Sequence, residues 1–240
     1  MNTSLRNEIN YVQSVASRFR FRDISCARIF DGDENYTEEA LALAPTFNTS
    51  LDDQNYLDLT EDCDVFRYTR GYLMSSLTEE EKNFPIAFSL VVYTDTEMVE
   101  RLLRAIYRPQ NYYCIHVDLK ASESYFGAIK AISECFSNVF LSAKRVDVQW
   151  GTFTVLEPEL ICMKELWRYR KWKYFINLTG QEFPLKTNFE LVKILKSYDG
   201  ANNIEGTIKN ANKERWKDPP PDGLRPVKGS VHITASRWVG

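Results

Sequence analysis

The stretch Ile86-Ala-Phe-Ser-Leu-Val-Val-Tyr93 is a run of aliphatic and aromatic residues of the length expected for a buried strand. It is followed by Thr94-Asp-Thr-Glu97, which has the spacing of a helix capping box. Apolar residues then recur with the i, i+3, i+4, i+7 spacing of one helical face, at Val99, Leu102, Leu103 and Ile106. A buried strand that leads directly into an amphipathic helix predicts an α/β fold.

The alternation of strand and helix continues along the chain. Further strands are predicted at Tyr112–Val117, Val139–Leu141 and Tyr174–Leu178. Further helices are predicted at Ser122–Phe136, from Thr154 to about Tyr169, and from Thr187 to Gly200. Two of these helices begin at capping boxes, Thr154-x-x-Glu157 and Thr187-x-x-Glu190. Strands and helices that alternate in this way predict a mostly parallel sheet with helices on both faces.

The two ends of the chain depart from this pattern. Residues 1–82 carry 8 Lys and Arg against 16 Asp and Glu, a net charge of −8, whereas the other residues carry 22 against 17, a net +5. We therefore divide the chain into an acidic stem or leader segment, residues 1–82, and an α/β domain, residues 83–240. After Gly200 the periodicity is lost, except for a strand-like stretch at Ser230–Thr234. Residues 235–240 resemble the first turn of a helix, so we expect the domain to be truncated at its C-terminus.

Several classes of protein are excluded by what the sequence lacks. Neither G-x-G-x-x-G nor a P-loop motif follows the first strand, which argues against dinucleotide-binding and P-loop proteins. No G-x-S-x-G motif is present, which argues against the usual α/β hydrolase site. A net charge of −3 argues against nucleic-acid binding through a basic surface. No apolar stretch in these 240 residues is long enough to span a bilayer.

A metal site is not predicted. The chain has two histidines and five cysteines, and none of them has the spacing of a zinc site. Asp31-Gly-Asp33 and Asp62-Cys-Asp64 resemble the D-x-D metal motif of many glycosyltransferases, but neither follows a predicted strand. We interpret both as loop acids.

Candidate binding residues lie where predicted strands end, because open α/β sheets bind their ligands beyond the carboxyl ends of the strands. The residues at those positions are Tyr93, Thr94, Asp118 and residues 179–182. Asp118 has two interpretations at this point. Its carboxylate is suited to hold a ribose hydroxyl or a uracil N–H, and it is equally suited to cap the following helix.

Five stretches of the chain resemble the core 2/I-branching β-1,6-N-acetylglucosaminyltransferases, and the resemblance covers residues 63–240. The stretches are Phe84-Pro-Ile-Ala-Phe-Ser, Leu102-Leu-Arg-Ala-Ile-Tyr, Tyr113-Cys-Ile-His-Val-Asp118, Lys173-Tyr-Phe-Ile-Asn-Leu and Phe183-Pro-Leu-Lys-Thr-Asn188. Members of that family have a GT-A-like fold without a D-x-D motif. They transfer N-acetylglucosamine from UDP-GlcNAc in β-1,6 linkage to O-glycans on glycoproteins, with inversion and without a metal ion. The resemblance implies the same fold and activity here, with residues 83–240 as a nucleotide-sugar-binding domain and no metal or other cofactor.

Carried over position by position, the resemblance also implies residue roles. It implies that the uridine and ribose of the donor are bound by Val91, Tyr93 and Asp118. It implies that the acceptor is bound by Glu205, Lys213 and Arg215. Carboxylates and cations suit this role because they can hold pairs of sugar hydroxyls. Tyr93 stands where some relatives have His, a departure that concerns the donor contact. Phe153 stands where relatives commonly carry Trp, so the acceptor preference stays open.

The resemblance further implies two disulfides, Cys63–Cys135 and Cys114–Cys162, and a partner for Cys26 beyond Gly240. It places the general base, a Glu in an S-P-D-E-like motif, beyond Gly240 as well, so it assigns no catalytic residue within this chain. The location that it implies is the lumenal side of the Golgi membrane, reached through an anchor that these residues do not include. Two alternatives stay open: an enzyme similar to peptide O-xylosyltransferases, and a non-catalytic protein that binds UDP-sugars or glycans.

Overall fold

Six strands form one mixed sheet in the computed structural model, which describes residues 3–18, 24–43, 50–206, 222 and 229–237. The strands are β1 Ile86–Val92, β2 Tyr112–Val117, β3 Val139–Leu141, β4 Tyr174–Thr179, β5 Asn203–Ile204 and β6 Ile233–Ser236. Their order across the sheet is β3-β2-β1-β4-β6-β5. Strands β1 to β4 are parallel to one another, whereas β6 is antiparallel to both β4 and β5. The predicted α/β architecture is therefore confirmed.

Helices fill most of the chain between these strands. Within the described residues they are α1 Thr3–Arg18, α2 Cys26–Phe30, α3 Glu34–Leu43, α4 Asp53–Leu59, α5 Cys63–Arg70, α6 Glu79–Lys82, α7 Thr96–Ile106, α8 Glu123–Glu134, α9 Glu157–Leu166 and α10 Asn188–Ser197. A short 3-10 helix, Phe153–Val155, precedes α9. None of the described helices is long and apolar enough to cross a membrane.

Alternate residues of β1 face the two sides of the sheet, as a strand buried on both faces requires. Phe88 and Leu90 point into the larger core, which they share with side chains of α4, α5, α7, α8 and α10. Ala87 points to the opposite face, where α9 and the segment after it contribute Leu166 and Trp172. Helices therefore cover both faces, as predicted.

Of the capping boxes predicted at Thr154 and Thr187, the structure contains the second but not the first. The Thr187 box is confirmed, since the Thr187 hydroxyl accepts from the Glu190 N–H and the Glu190 carboxylate accepts from the Thr187 N–H. The Thr154 box is wrong. Helix α9 follows Leu156, which has no capping side chain, and the Thr154 hydroxyl instead accepts from the Gln149 N–H.

The predicted box at Thr94 is also wrong, by one residue. The N-cap of α7 is Asp95, whose carboxylate accepts from the Met98 N–H. Asp95 has φ +65°, a left-handed conformation that costs free energy for a residue with a side chain. The carboxylate of Glu97, which a capping box would bond to the start of the helix, instead accepts from the Leu51 N–H. A tertiary contact has therefore replaced the local one.

The first residues of the predicted helix at 235–240 lie in a strand instead, and residues 238–240 lie outside the described residues. Ala235 and Ser236 belong to β6 and pair with Phe175 and Tyr174 of β4. The prediction was wrong because the open side of β4 offers hydrogen-bonding partners that no local sequence pattern reveals. The predicted strand at Ser230–Thr234 is thus displaced by a few residues along the chain.

Residues 50–82 pack as part of the α/β unit, although their composition led us to assign them to the leader. Tyr56 of α4 and Phe66 of α5 are fully buried in the larger core. Arg70, at the end of α5, forms a buried ion pair with Glu100 of α7, and Arg104 binds the same carboxylate. These contacts hold α4 and α5 against α7 and α8.

Two disulfides join distant parts of the described chain. Cys63 at the start of α5 is bonded to Cys135 at the end of α8. Cys114 in β2 is bonded to Cys162 in α9, on the opposite face of the sheet. These are the two pairs that the resemblance implies. Cys26 is exposed and free.

Candidate functional site

The order of the strands reverses beside β1, because the chain leaves β1 towards β2 on one side and later returns as β4 on the other. Such a switch point opens a crevice beyond the carboxyl ends of the two strands. Gly180 follows β4 there, and its N–H donates to the carbonyl oxygen of Val91, 3.2 Å away. A Cβ atom at Gly180 would lie 3.3 Å from the side chains of Val92 and Val99, so a glycine permits this close approach.

A cavity of about 400 Å³ lies at this carboxyl edge, beyond β1 and β2. Its lining residues are Asp53, Tyr93, Thr94, Asp95, Lys120, Ala121, Ser122 and Tyr125. Tyr93 leaves 49% of its surface exposed, which is high for an aromatic residue that directly follows a buried strand. We refer to this space as the carboxyl-edge cavity.

Asp118 is held rigidly at the rim of the carboxyl-edge cavity. Its N–H continues the sheet by donating to the carbonyl oxygen of Val92 at 2.9 Å. Its carboxylate accepts from the Lys120 N–H at 2.8 Å and pairs with the Lys120 ammonium at 3.1 Å. Helix α8 is capped by Ser122 instead, so the helix-cap interpretation of Asp118 is wrong.

Lys120 is the residue of this site that the sequence reasoning missed. Its ammonium nitrogen lies between the carboxylates of Asp118 and Asp147, at 3.1 and 2.9 Å, and 5.9 Å from the ring centroid of Tyr93. The hydrogen bond that Lys120 donates to Asp147, followed by the one that it donates to Asp118, raises the pKa of Lys120. Because the ammonium group also donates to the carbonyl oxygen of Val148, its three N–H groups are all bonded within the protein, and Lys120 fixes the carboxylate of Asp118 beside the cavity. Its position two residues after the strand-end acid was the available signal.

A buried histidine fixes the loop that forms one wall of the site. His116 in β2 is fully buried, and its Nε2 accepts from the Val146 N–H at 2.9 Å. Arg145, next in the same loop, donates to the carbonyl oxygen of Asp118 at 2.9 Å. Burial lowers the pKa of His116 to about 4, so the ring is neutral near pH 7. The loop after β3 therefore helps to hold Asp118 in place.

The buried His116 predicts a pH dependence of stability. Because its folded pKa lies below the value of 6.5 for a free histidine, the unfolded chain binds a proton that the folded chain does not. The buried neutral ring therefore stabilises the fold fully above about pH 6.5, and this stabilisation decreases as the pH drops towards 4. We expect the melting temperature to fall between pH 7 and pH 5 less steeply in His116→Gln than in the wild type. Equal slopes in His116→Gln and the wild type would contradict the assignment.

The predicted acceptor residues are only partly within the described chain. Glu205 follows β5, which runs parallel to β4 because β6 is antiparallel to both, so Glu205 lies at the same carboxyl edge. It lines a second cavity, of about 320 Å³, together with Glu182 and His232. His232 Nδ1 lies 3.2 Å from the Glu182 carboxylate. Lys213 and Arg215 lie outside the described residues.

The predicted donor residues fall into two groups. Tyr93 and Asp118 lie at the carboxyl-edge cavity, one lining it and the other bonded to its Lys120. Val91 is inside β1, half-buried, and its carbonyl oxygen is bonded to Gly180 rather than open to the cavity. Tyr93 and Glu205 therefore line separate cavities on one edge of the sheet.

The acids that resemble D-x-D motifs have structural partners. Asp33 forms an ion pair with Arg28 at 2.7 Å, and Asp62 caps α5 by accepting from two backbone N–H groups. Among the described residues, no three His, Cys, Asp or Glu side chains are grouped so that they could hold a metal ion.

Comparison with known proteins defines the class of this chain. Residues 86–238 match the sequence model of the Core-2/I-Branching enzyme family, and the chain belongs to that family. It is 39% identical over 237 residues to a beta-1,3-galactosyl-O-glycosyl-glycoprotein beta-1,6-N-acetylglucosaminyltransferase of Bovine herpesvirus 4, a match that covers 90% of this chain and 54% of the relative. The enzyme 3 of that name from Bos taurus gives the same identity and coverage.

A human relative of the same type supports the comparison over a shorter range. The human beta-1,3-galactosyl-O-glycosyl-glycoprotein beta-1,6-N-acetylglucosaminyltransferase is 42% identical over 201 residues, which is 81% of this chain and 47% of the human protein. The chain thus spans about half the length of the curated relatives that it matches.

Proposed function

We propose that this chain carries the donor-nucleotide site of a β-1,6-N-acetylglucosaminyltransferase that transfers N-acetylglucosamine from UDP-GlcNAc to O-glycan acceptors on glycoproteins. The observation that supports the proposal most strongly is the carboxyl-edge cavity, where Tyr93 and Lys120 meet beside Asp118. The names of the relatives, which describe this transfer, point the same way.

Two of these side chains offer chemistry that a uridine requires, and the third positions one of them. The exposed ring of Tyr93 offers an apolar face on which a uracil can stack. The carboxylate of Asp118 can accept from a ribose hydroxyl or a uracil N–H, and charge-assisted bonds of this kind are the strong ones. Lys120 positions the Asp118 carboxylate, to which its ammonium group is bonded at 3.1 Å. We assign Val91 to the same site through the resemblance alone.

The acceptor is assigned to the neighbouring cavity. Glu205 lines it, and a carboxylate at its rim can accept from sugar hydroxyls. Lys213 and Arg215 complete the proposed acceptor set by resemblance. We propose that transfer proceeds without a metal ion or another cofactor, with inversion at the sugar, as the resemblance implies.

We propose that the protein acts on the lumenal side of the Golgi membrane. The two disulfides support an oxidising compartment, because disulfides are rare in the reducing cytosol. Asn177 begins the glycosylation sequon Asn177-Leu-Thr179, but it is buried in β4 and donates to Glu159 and to the carbonyl oxygen of Val231, so we expect it to carry no glycan.

Binding of UDP-GlcNAc tests the donor site. We expect calorimetry in the presence of EDTA to detect binding, and we expect Asp118→Asn to weaken it by about tenfold or more, or about 1.4 kcal/mol. Asp64→Asn is the matched control, because this exposed acid on α5 lies away from the cavity and should bind as the wild type does. Binding that needs a divalent cation, or that is equally strong in Asp118→Asn, would contradict the proposal.

The choice of donor sugar has its own test. We expect UDP-GlcNAc to bind more tightly than UDP-xylose. We expect a C-terminally extended protein that includes the general base, rather than residues 1–240 alone, to form a β-1,6-linked product from a Galβ1-3GalNAc acceptor in EDTA. A preference for UDP-xylose would instead favour an enzyme similar to the peptide O-xylosyltransferases. Product that forms only after a metal ion is added would contradict metal-free transfer.

A further inference from the structure

Another open cavity, apart from the two at the carboxyl edge, lies at the opposite, amino edge of the sheet. It has a volume of about 430 Å³, and its lining residues are Phe84, Arg170, Trp172, Lys173, Tyr174, Gly200, Ser236 and Arg237. Strand β4 starts at Tyr174, and the antiparallel strand β6 ends at Ser236, so both strands open onto this edge. We call this space the basic pocket, and it shares no lining residue with the carboxyl-edge cavity.

Within the described part of the chain, the positive charge of the basic pocket has no paired acid. Three of its lining residues are cations, Arg170, Lys173 and Arg237, and none of the described lining residues is an acid. Arg168 and Lys171 are exposed in the same loop. Among the ion pairs of the described residues, none involves any of these five cations. An anion that entered the pocket would therefore meet no competing carboxylate among the described residues of its walls.

Arg237 is positioned in advance for such a ligand. Its guanidinium lies 4.4 Å from the ring centroids of both Trp167 and Trp172, and it donates to the carbonyl oxygens of Trp167 and Tyr169. These two bonds use two of its five N–H groups. Burial, followed by the nearby charge of Arg170, lowers the pKa of Arg237. The guanidinium is thus held in a fixed position close to the like charge of Arg170. An oxyanion bound in the pocket would offset the repulsion between these two cations.

Aromatic surface accompanies the cations. The loop reads Trp167-Arg-Tyr-Arg-Lys-Trp-Lys173, a basic run with interleaved aromatic rings of the kind that binds heparin-like and other anionic polymers. Trp167 leaves 48% of its surface exposed beside the pocket. An exposed ring next to a cation offers one surface for the apolar face of a sugar ring and another for an acidic group attached to it.

We propose that the basic pocket binds the sulfate or carboxylate group of an acidic saccharide, at a site separate from the donor site. The cations are confined to one concave pocket on a chain of net charge −3, which suits a local acidic group better than a long nucleic acid. A concave pocket also suits a saccharide better than the flat surface of a membrane. The ligand binds through an Arg–Lys–Arg set, and its ring lies against the exposed tryptophan.

The test compares heparin tetrasaccharide binding to two double variants of the same charge. Arg170→Ala/Lys173→Ala removes two cations of the pocket, and neither side chain has a partner whose loss would disturb the fold of the described chain. Lys130→Ala/Lys186→Ala removes two exposed lysines elsewhere and is the control. We expect the pocket variant to bind the tetrasaccharide about tenfold or more weakly, with a shallower salt dependence, and the control to bind as the wild type does.

Three results can overturn the proposal. Equal losses in the two double variants would show that net charge, rather than the pocket, drives binding. Binding of vesicles containing anionic phospholipid without binding of the tetrasaccharide would assign the cations to a lipid surface. Inorganic sulfate that binds as tightly as the tetrasaccharide would remove the saccharide from the proposal. UDP is expected not to displace the tetrasaccharide, so the outcome is independent of the donor site.

Discussion

Replacement of Glu100 by alanine is expected to lower the free energy of unfolding by about 3–5 kcal/mol, the cost typical of removing one partner from a buried ion pair. Glu100 is fully buried, and its carboxylate pairs with Arg70 and, at 3.0 Å, with Arg104. The side chain of Arg70 is only 7% exposed, so its charge would be left in the core without a carboxylate. Tyr56 would also lose its acceptor. Urea unfolding of the wild type and the variant measures the difference.

The matched control for this prediction is Glu134→Ala. Glu134 is also a helical glutamate with a partner four residues away, Lys130 at 3.6 Å, but both side chains are largely exposed. An exposed pair of this kind contributes little, so we expect no measurable change. A similar loss in both variants would show that the Arg70–Glu100 pair does not hold α5 against α7.

The same pair predicts a pH window. Burial opposes ionisation of Glu100, but the hydrogen bonds and charges of Arg70 and Arg104 outweigh it and lower the pKa of Glu100 below the usual 4.5. A lowered carboxyl pKa stabilises the fold above the unfolded value and ceases to do so as the pH falls through the folded value. The difference between wild type and Glu100→Ala should therefore shrink below about pH 4.5.

Removal of the Cys63–Cys135 disulfide is expected to cost about 4 kcal/mol, because the bond closes a loop with a sequence separation of 72 residues. The bond ties the start of α5 to the end of α8. The double variant Cys63→Ala/Cys135→Ala, unfolded in urea beside the wild type, measures this contribution. Cys26→Ala is the control, since Cys26 is exposed and free. A loss below about 1 kcal/mol, or an equal loss in the control, would contradict this role.

The sequence predicts the central strands well because their signals are local. The continuous apolar runs of β1 and β2 and the short runs of β3 and β4 are visible without any tertiary information, and the observed bounds agree within one residue. Contacts that depend on tertiary structure were not predictable. Glu97 bonds to Leu51 rather than to its own helix start, and Ala235 joins a strand because β4 lies beside it.

The candidate site was predicted in part for the same reason. Tyr93 and Asp118 were identified because the ends of parallel strands collect at one edge of a sheet. Lys120 was missed because its role depends on the loop that brings Asp147 to it, 27 residues further along the chain. The approach of His232 to Glu182 was missed because it depends on the pairing of β6 with β4, which local periodicity does not encode.

Hydrogen–deuterium exchange with and without saturating UDP-GlcNAc tests the central claim, that the nucleotide binds at the carboxyl edge beyond β1 and β2. We expect the ligand to slow exchange in residues 93–95 and 118–122, which line or adjoin the carboxyl-edge cavity, and to leave residues 167–173 unchanged. Slower exchange confined to residues 167–173 or to another surface, with residues 93–95 and 118–122 unaffected, would contradict the account.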